Sequence, residues 1–107
     1  MIELFTDRLI IRDYIIDALE NYHEILSDHK VMYYLQEIKT ENIEESRKGF
    51  MNVLNDQNSD ERKFYHFKIE NKITQEFIGG IGYTVIENTT YGKLVHIGYF
   101  ILEKILE

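Results

Sequence analysis

The spacing of apolar residues changes along this chain, and the change restricts its fold more than any other feature. Over residues 15–26 and again over residues 43–54, apolar side chains recur every three or four positions, which is the spacing of one helix face. Over residues 64–102, apolar side chains alternate with polar ones or form β-branched and aromatic runs, which is typical of strands. A helical region followed by a strand region indicates an α+β fold.

The first half of the chain predicts one strand and two or three helices. Residues 9–14 form a β-branched strand that leads into the first helix. A short apolar and aromatic segment at residues 31–35 predicts a brief second helix. Thr40 or Asn42 caps the next helix, because either side chain can accept a hydrogen bond from a free N–H group of the first turn. That helix is predicted to end in the polar stretch 55–60.

The second half predicts three strands, at residues 64–69, 77–86 and 94–102, joined most simply as an antiparallel meander. Three glycines in the middle strand indicate a bulge or the close approach of another backbone. The last strand is apolar on both faces, as in a strand that is covered on both sides. Only residues 103–107 follow it, so we expect part of its surface to be covered by another chain or to stay exposed.

Size and charge limit the kinds of partner. With 107 residues, the chain is expected to form a single domain. Its net charge of -7 repels phosphate backbones and anionic membranes, so neither nucleic acid nor a membrane is an expected partner. The chain has no cysteine and its 4 histidines are too scattered for metal-ligand spacing, so no metal site is predicted. No segment reads as a signal peptide or a membrane span, which predicts a cytoplasmic protein.

Four segments together resemble the ribosomal-protein-alanine acetyltransferase branch of the N-acetyltransferase (GNAT) superfamily. Residues 6–12 (TDRLIIR) are similar to its T-x-R-L-x-L-R opening strand, and residues 27–35 (SDHKVMYYL) to its S-D-P-x-V-x-x-Y/F-L segment. Residues 77–82 (FIGGIG) and 97–101 (IGYFI) look like its x-I-G-x-I-G and I-G-Y-x-L strands. No segment is specific alone, but their order and spacing extend the resemblance over residues 6–102.

The resemblance implies the N-terminal half of a GNAT fold, which transfers the acetyl group of acetyl-CoA to a primary amine. In this family the first two helices form one wall of the acceptor pocket. The residues implied to line that pocket are Met32, Tyr33 and Tyr34, which can equally seal the core beneath the helices, because aromatic side chains bury large areas in either place. The pantetheine arm of acetyl-CoA would contact main-chain groups of the last strand, at Tyr99, Phe100, Ile101 and Leu102.

Two departures from the family pattern bear on activity. The family places a glutamate directly before I-G-Y, where this chain has His96. Histidine titrates near neutral pH and could take a proton from the acceptor ammonium, although His96 can also be a sheet residue with no catalytic task. The family continues after Leu102 with a glycine-rich turn that binds the diphosphate at a helix N-terminus. Residues 103–107 (EKILE) contain no glycine, which predicts a single truncated domain over residues 1–107 without that loop.

Three interpretations of function follow. In the first, the chain is an acetyl-CoA-dependent N-acetyltransferase that is incomplete and inactive alone, with an amine-bearing small molecule or a protein N-terminus as acceptor. In the second, it is a noncatalytic α+β module that pairs through its last strand with a copy of itself, as a homo-oligomer, or with a complementary half. In the third, it is a frameshifted or truncated copy of a complete enzyme. The sequence does not name the acceptor.

Overall fold

The computed structural model describes residues 1–33, 35–36 and 38–102. Within these residues, one antiparallel sheet has its strands in chain order: β1 (Glu3–Phe5), β2 (Leu9–Asp13), β3 (Phe64–Asn71), β4 (Phe77–Thr89) and β5 (Gly92–Ile101). Between β2 and β3 lie a one-turn 3₁₀ helix and two α-helices: Ile16–Ala18, α1 (Leu19–Ser27) and α2 (Ile43–Gln57). The predicted α+β class and the antiparallel meander are confirmed.

Two side-chain hydrogen bonds hold the start of α2. The Asn42 side chain accepts a hydrogen bond from the Glu45 N–H group at 3.0 Å, which satisfies one free donor of the first turn. The Glu45 carboxylate accepts one from the Glu41 N–H group, just before the cap, at 3.2 Å. Of the two predicted caps, Asn42 is the correct one, and the helix extends to Gln57, into the stretch predicted as a loop.

Two predictions about the first half of the chain were wrong. The short strand β1 was not predicted, although it pairs along its whole length with β2, from Glu3 opposite Arg12 to Phe5 opposite Ile10. The brief second helix predicted at residues 31–35 is not formed at its described residues, since residues 31–33 form turns. The Asp28 carboxylate accepts hydrogen bonds from the N–H groups of the second and third residues after it, at 3.0 and 3.1 Å. These local bonds compete with helical ones.

The main core lies between α1 and one face of the sheet. Ile25 of α1 packs with Met32, Phe77 and Leu102, and each of these side chains is at most 8% exposed. A second cluster unites residues of the β2–α1 connection with Phe50 of α2, which is 1% exposed. The two helices are therefore fixed to the sheet by buried apolar contacts, each worth about 1.5–3 kcal/mol per large side chain.

The glycines of β4 mark places where another backbone approaches closely. A Cβ atom on Gly79 would overlap the carbonyl oxygen of Phe100, and one on Gly82 would overlap the carbonyl oxygen of Tyr65. The pairing of β3 with β4 also shifts its register between Ile69 and Glu70. The predicted close backbone approach is confirmed at Gly79 and Gly82, and the register shift lies beside Gly79, the partner of Ile69.

Strand β5 is an edge strand in the described part of the chain. It pairs with β4 from Gly92 to Ile101, and no other described strand lies beside it. Its apolar side chains Leu94, Ile97 and Tyr99 are 51%, 67% and 70% exposed. The apolar pattern of β5 predicts a strand that is covered on both faces, but the described residues leave these side chains exposed. None of the described helices has the length and apolar character needed to cross a bilayer.

Candidate acceptor cleft and open strand edge

A cleft of about 720 Å³ lies between the helices and the sheet. Its walls come from α1, from the connection between the helices and from the start of α2, and strands β3, β4 and β5 form its floor. Gly80, Gly82 and Gly98 are part of that floor. Because Gly82 lies directly opposite Gly98, a patch of main chain faces the cleft without side chains over it.

Two tyrosines stand in the wall of the cleft. Tyr14, where β2 leads into the helices, and Tyr22 of α1 meet edge to face, with ring centroids 5.6 Å apart. Phe50 packs against both rings, with centroid distances of 5.8 and 5.2 Å. Burial raises the pKa of both tyrosine hydroxyls, so each remains protonated through the neutral range.

A buried hydroxyl network holds the wall together. The Ser46 hydroxyl of α2, fully buried, lies 2.7 Å from the Thr40 hydroxyl and 2.7 Å from Nδ1 of His23 on α1. Thr40 also lines the cleft. The network therefore links both helices to their connecting segment beside the cleft, with each buried polar group satisfied.

Two histidines reach the cleft from opposite sides of β4. His96 on β5 is exposed and lies opposite Thr84, whereas His66 on β3 is half-buried and lies opposite Gly82. Burial is the main cause that lowers the pKa of His66, and the nearby Arg62 guanidinium lowers it further. The predicted candidate His96 thus borders the cleft, and His66 is a second imidazole there that the sequence did not single out.

The main chain of β5 offers hydrogen-bonding groups at alternate residues. The Leu102 N–H group donates to the Ile78 carbonyl oxygen at 3.0 Å. In an antiparallel pair the bonded residues alternate along the strand, and the register is regular here. Phe100 and Leu102 therefore bond to β4, whereas Tyr99 and Ile101 direct their N–H and C=O groups toward the open edge, where no described strand pairs with them.

The residues predicted from the resemblance separate into two groups. Tyr99 and Phe100 line the cleft beside His96. Met32 is fully buried in the core, and Leu102 is 1% exposed in the same cluster, so neither side chain faces the cleft. Tyr33 is 66% exposed and does not line the cleft either, and Tyr34 lies outside the described residues.

The lining of the cleft is mostly apolar and carries little charge. Glu45 is its one carboxylate among the described residues, and it contains no lysine or arginine. A second cleft of about 720 Å³, between the residues after α2 and the β4–β5 hairpin, is instead lined by charges of both signs. No described group of three or more His, Cys, Asp or Glu side chains could hold a metal ion.

Residues 8–106 match the acetyltransferase (GNAT) domain. The chain belongs to the GNAT family. A solved structure of a GNAT-family acetyltransferase from Bacillus anthracis has the same fold, with a TM-score of 0.72 and 22% sequence identity. The similarity covers 99% of this chain and 57% of the Bacillus anthracis chain, so this chain spans little more than half the length of that protein. No curated protein sequence matches it.

Proposed function

We propose that the chain provides the acceptor cleft and the pantetheine-contacting strand of an acetyl-CoA-dependent N-acetyltransferase. One observation carries the proposal: the open edge of β5 adjoins a cleft whose floor is partly bare main chain. An extended ligand arm can add to such an edge through main-chain hydrogen bonds. Its reactive end would then lie over Gly82 and Gly98, which present no side chain to obstruct it.

The residues at the edge have separable tasks. Tyr99 and Ile101 would hydrogen-bond the pantetheine arm, because their N–H and C=O groups face outward. Bound acetyl-CoA supplies the acetyl group as a thioester. His96 would take the proton of the acceptor ammonium, since only the neutral amine attacks the carbonyl carbon. The new C–N bond then replaces the C–S bond, and the thiolate leaves.

The diphosphate of the cofactor has no evident site in the described residues. Both described α-helices precede β3, so among the described residues no helix start after β5 offers the free N–H groups and dipole that bind phosphate. We therefore expect the 107-residue chain to bind the pantetheine arm without catalysing acetyl transfer at a measurable rate. A thiol-release assay with excess amine tests this expectation, and turnover above the uncatalysed rate would contradict it.

The experiment that tests the binding proposal is a thermal shift with saturating acetyl-CoA. A ligand at about a hundred times its Kd stabilises the fold by roughly 2.7 kcal/mol, which raises the Tm of a chain of this size by on the order of 10 °C. Acetyl-pantetheine, which lacks the diphosphate, should give a comparable shift at its own saturation. No shift with either compound would refute the proposal.

A matched pair of variants locates the contact. Tyr99→Pro removes the outward N–H group and disturbs no hydrogen bond to β4, whereas Tyr99→Ala removes the exposed ring and keeps the N–H group. We expect the ligand-induced shift to fall in the proline variant and to persist in the alanine variant. Equal shifts in both variants would mean that the edge main chain does not bind the arm.

A second candidate function also rests on β5. The exposed apolar residues Leu94, Ile97 and Tyr99 lie on an unpaired edge, which can pair with the same edge of another copy. In this case the chain would be a noncatalytic homo-oligomer. Light scattering distinguishes the two functions, because a monomer at high protein concentration excludes self-pairing and a dimer that acetyl-CoA does not dissociate favours it.

A further inference from the structure

The Tyr14 hydroxyl has no hydrogen-bond partner among the described residues. Tyr14 is 3% exposed and lines the cleft. Among the described side chains, only Gln57 holds a polar atom that is both sealed from solvent and without a hydrogen bond. The Tyr14 hydroxyl is therefore not sealed, and the space that it reaches is the cleft that Tyr14 lines. The same reasoning applies to Tyr22, which also lines the cleft.

Two glycines make room for these hydroxyls. A Cβ atom on Gly80 would lie 3.3 Å from the Tyr14 hydroxyl oxygen, and one on Gly49 would lie 3.3 Å from the Tyr22 hydroxyl oxygen. Both distances are tighter than ordinary van der Waals contact. Gly49 lies inside α2, where glycine lowers helix stability relative to alanine. Gly49 thus weakens α2, but any larger side chain at this position would crowd the Tyr22 hydroxyl.

The charges in the cleft define which oxygen these hydroxyls could bind. Both tyrosines stay protonated because burial raises their pKa, so they are hydrogen-bond donors. Among the described residues, the lining holds no lysine or arginine to neutralise a ligand carboxylate, and Glu45 would repel one. The same carboxylate favours an ammonium group nearby. A carbonyl or hydroxyl oxygen on an amine fits these conditions, and a carboxylate does not.

We propose that the Tyr14 and Tyr22 hydroxyls form a subsite that selects acceptor amines bearing an uncharged oxygen. Tyr14 and Tyr22 would donate hydrogen bonds to that oxygen, while the apolar wall receives the body of the acceptor. The identity of this ligand as the acceptor rests on the proposed acetyltransferase function. The preference among amines is a property of the cleft itself and does not require acetyl-CoA.

Three primary amines with the same aromatic ring show how an uncharged oxygen, a carboxylate or no oxygen affects binding to the cleft. Phenylalaninamide carries an uncharged carbonyl, phenylalanine a carboxylate and phenethylamine no oxygen. Each is titrated into the 107-residue chain without acetyl-CoA, and binding is followed by changes in amide NMR chemical shifts. We expect phenylalaninamide to bind most tightly, by about two- to tenfold over phenethylamine, which is the contribution of one net hydrogen bond. Equal affinities, or no binding of any of the three, would overturn the inference.

Isosteric variants then assign the preference to the two hydroxyls. Tyr14→Phe and Tyr22→Phe remove only the oxygen and keep the ring contacts with Phe50. The phenylalaninamide preference should shrink in each, and the affinity for phenethylamine should stay constant. Tyr65→Phe is the matched control, because Tyr65 stacks on Tyr83 and does not line the cleft. An unchanged preference in both cleft variants would overturn the inference.

The two proposals fail separately. Loss of the acetyl-CoA thermal shift would refute the proposed enzyme and leave the amine preference measurable. Loss of the amine preference would refute the subsite and leave the cofactor shift intact. If a cleft variant fails to fold by far-UV circular dichroism, the affinity order of the three amines for the unchanged chain decides the question.

Discussion

The sheet of this protein has a covered centre and an open edge, and similar apolar residues occupy both. In the covered region, Ile69 of β3 and Phe77 of β4 are 6% and 8% exposed. On β5, Ile97 and Tyr99 are 67% and 70% exposed. The difference comes from neighbours rather than from composition, because β4 is paired on both sides whereas β5 is paired on one.

The covered centre and the open edge of the sheet have different roles in the molecule. The covered centre buries apolar area and therefore supplies most of the stability. The open edge buries little, but it keeps main-chain groups available to a ligand or a partner chain. The cleft lies at the junction of the two regions, so its tyrosine wall is rigidly packed while its β5 side stays accessible.

The largest expected effect compares one aromatic residue from each region. Phe50→Ala should lower the free energy of unfolding by about 3–5 kcal/mol, because it leaves a cavity against Tyr14 and Tyr22. Tyr99→Ala should lower it by less than about 1 kcal/mol, since its ring is already in contact with solvent. Urea unfolding followed by circular dichroism measures both. Similar losses in the two variants would show that β5 is covered in solution.

A pair of facing glycines tests the same contrast at smaller scale. Gly82 of β4 and Gly98 of β5 are cross-strand partners. A Cβ atom on Gly82 would overlap the Tyr65 carbonyl, whereas one on Gly98 would meet nothing within 4 Å. Gly82→Ala should therefore cost about 1–3 kcal/mol, and Gly98→Ala should be neutral or stabilising by up to about 1 kcal/mol. A stability loss in Gly98→Ala would mean that another element lies against β5.

Much of this fold could be predicted because its signals are local. The helical spacing in α1 and α2 and the alternation in β3, β4 and β5 are set by which side chains must face the core, and the structure confirms these elements. Strand β1 was missed because its three residues are all exposed, so they carry no pattern of burial. The helix predicted at residues 31–35 came from an apolar run, but residues 31–33 form turns and the Val31 N–H group donates to the Asp28 carboxylate.

The site was less accessible to sequence reasoning. A resemblance directed attention to His96 and Tyr99, which the structure places beside the cleft. It also directed attention to Met32, which is fully buried in the core, since an apolar segment has the same sequence pattern in a core as in a pocket. In the sequence, Tyr14 and Tyr22 belong to the strand and helix patterns, and only the three-dimensional structure shows that their rings meet in the wall of one cleft.

The smallest of the three effects compares two histidines on the same face of the sheet. His66 is half-buried on β3, and its pKa is lowered mainly by burial, then by Arg62, against an opposing contribution from Asp56. A histidine with a lowered pKa takes up its proton more readily in the unfolded chain. Folding stability is therefore unaffected by His66 at high pH and falls as the pH drops through the unfolded value near 6.5.

Replacing His66 should reduce the loss of folding stability at low pH. His66→Gln removes the titrating group, so the decrease in the free energy of unfolding between about pH 7.5 and 5 should be smaller than in the unchanged chain. The comparison variant is His96→Gln, which removes an exposed histidine from the open edge, and we expect the larger change of slope in His66→Gln. Urea unfolding at several pH values measures both slopes. The contrary result is a smaller decrease of the free energy of unfolding with pH in His96→Gln and an unchanged decrease in His66→Gln. It would show that β5, rather than β3, forms the buried side of the cleft, against the division between a covered centre and an open edge.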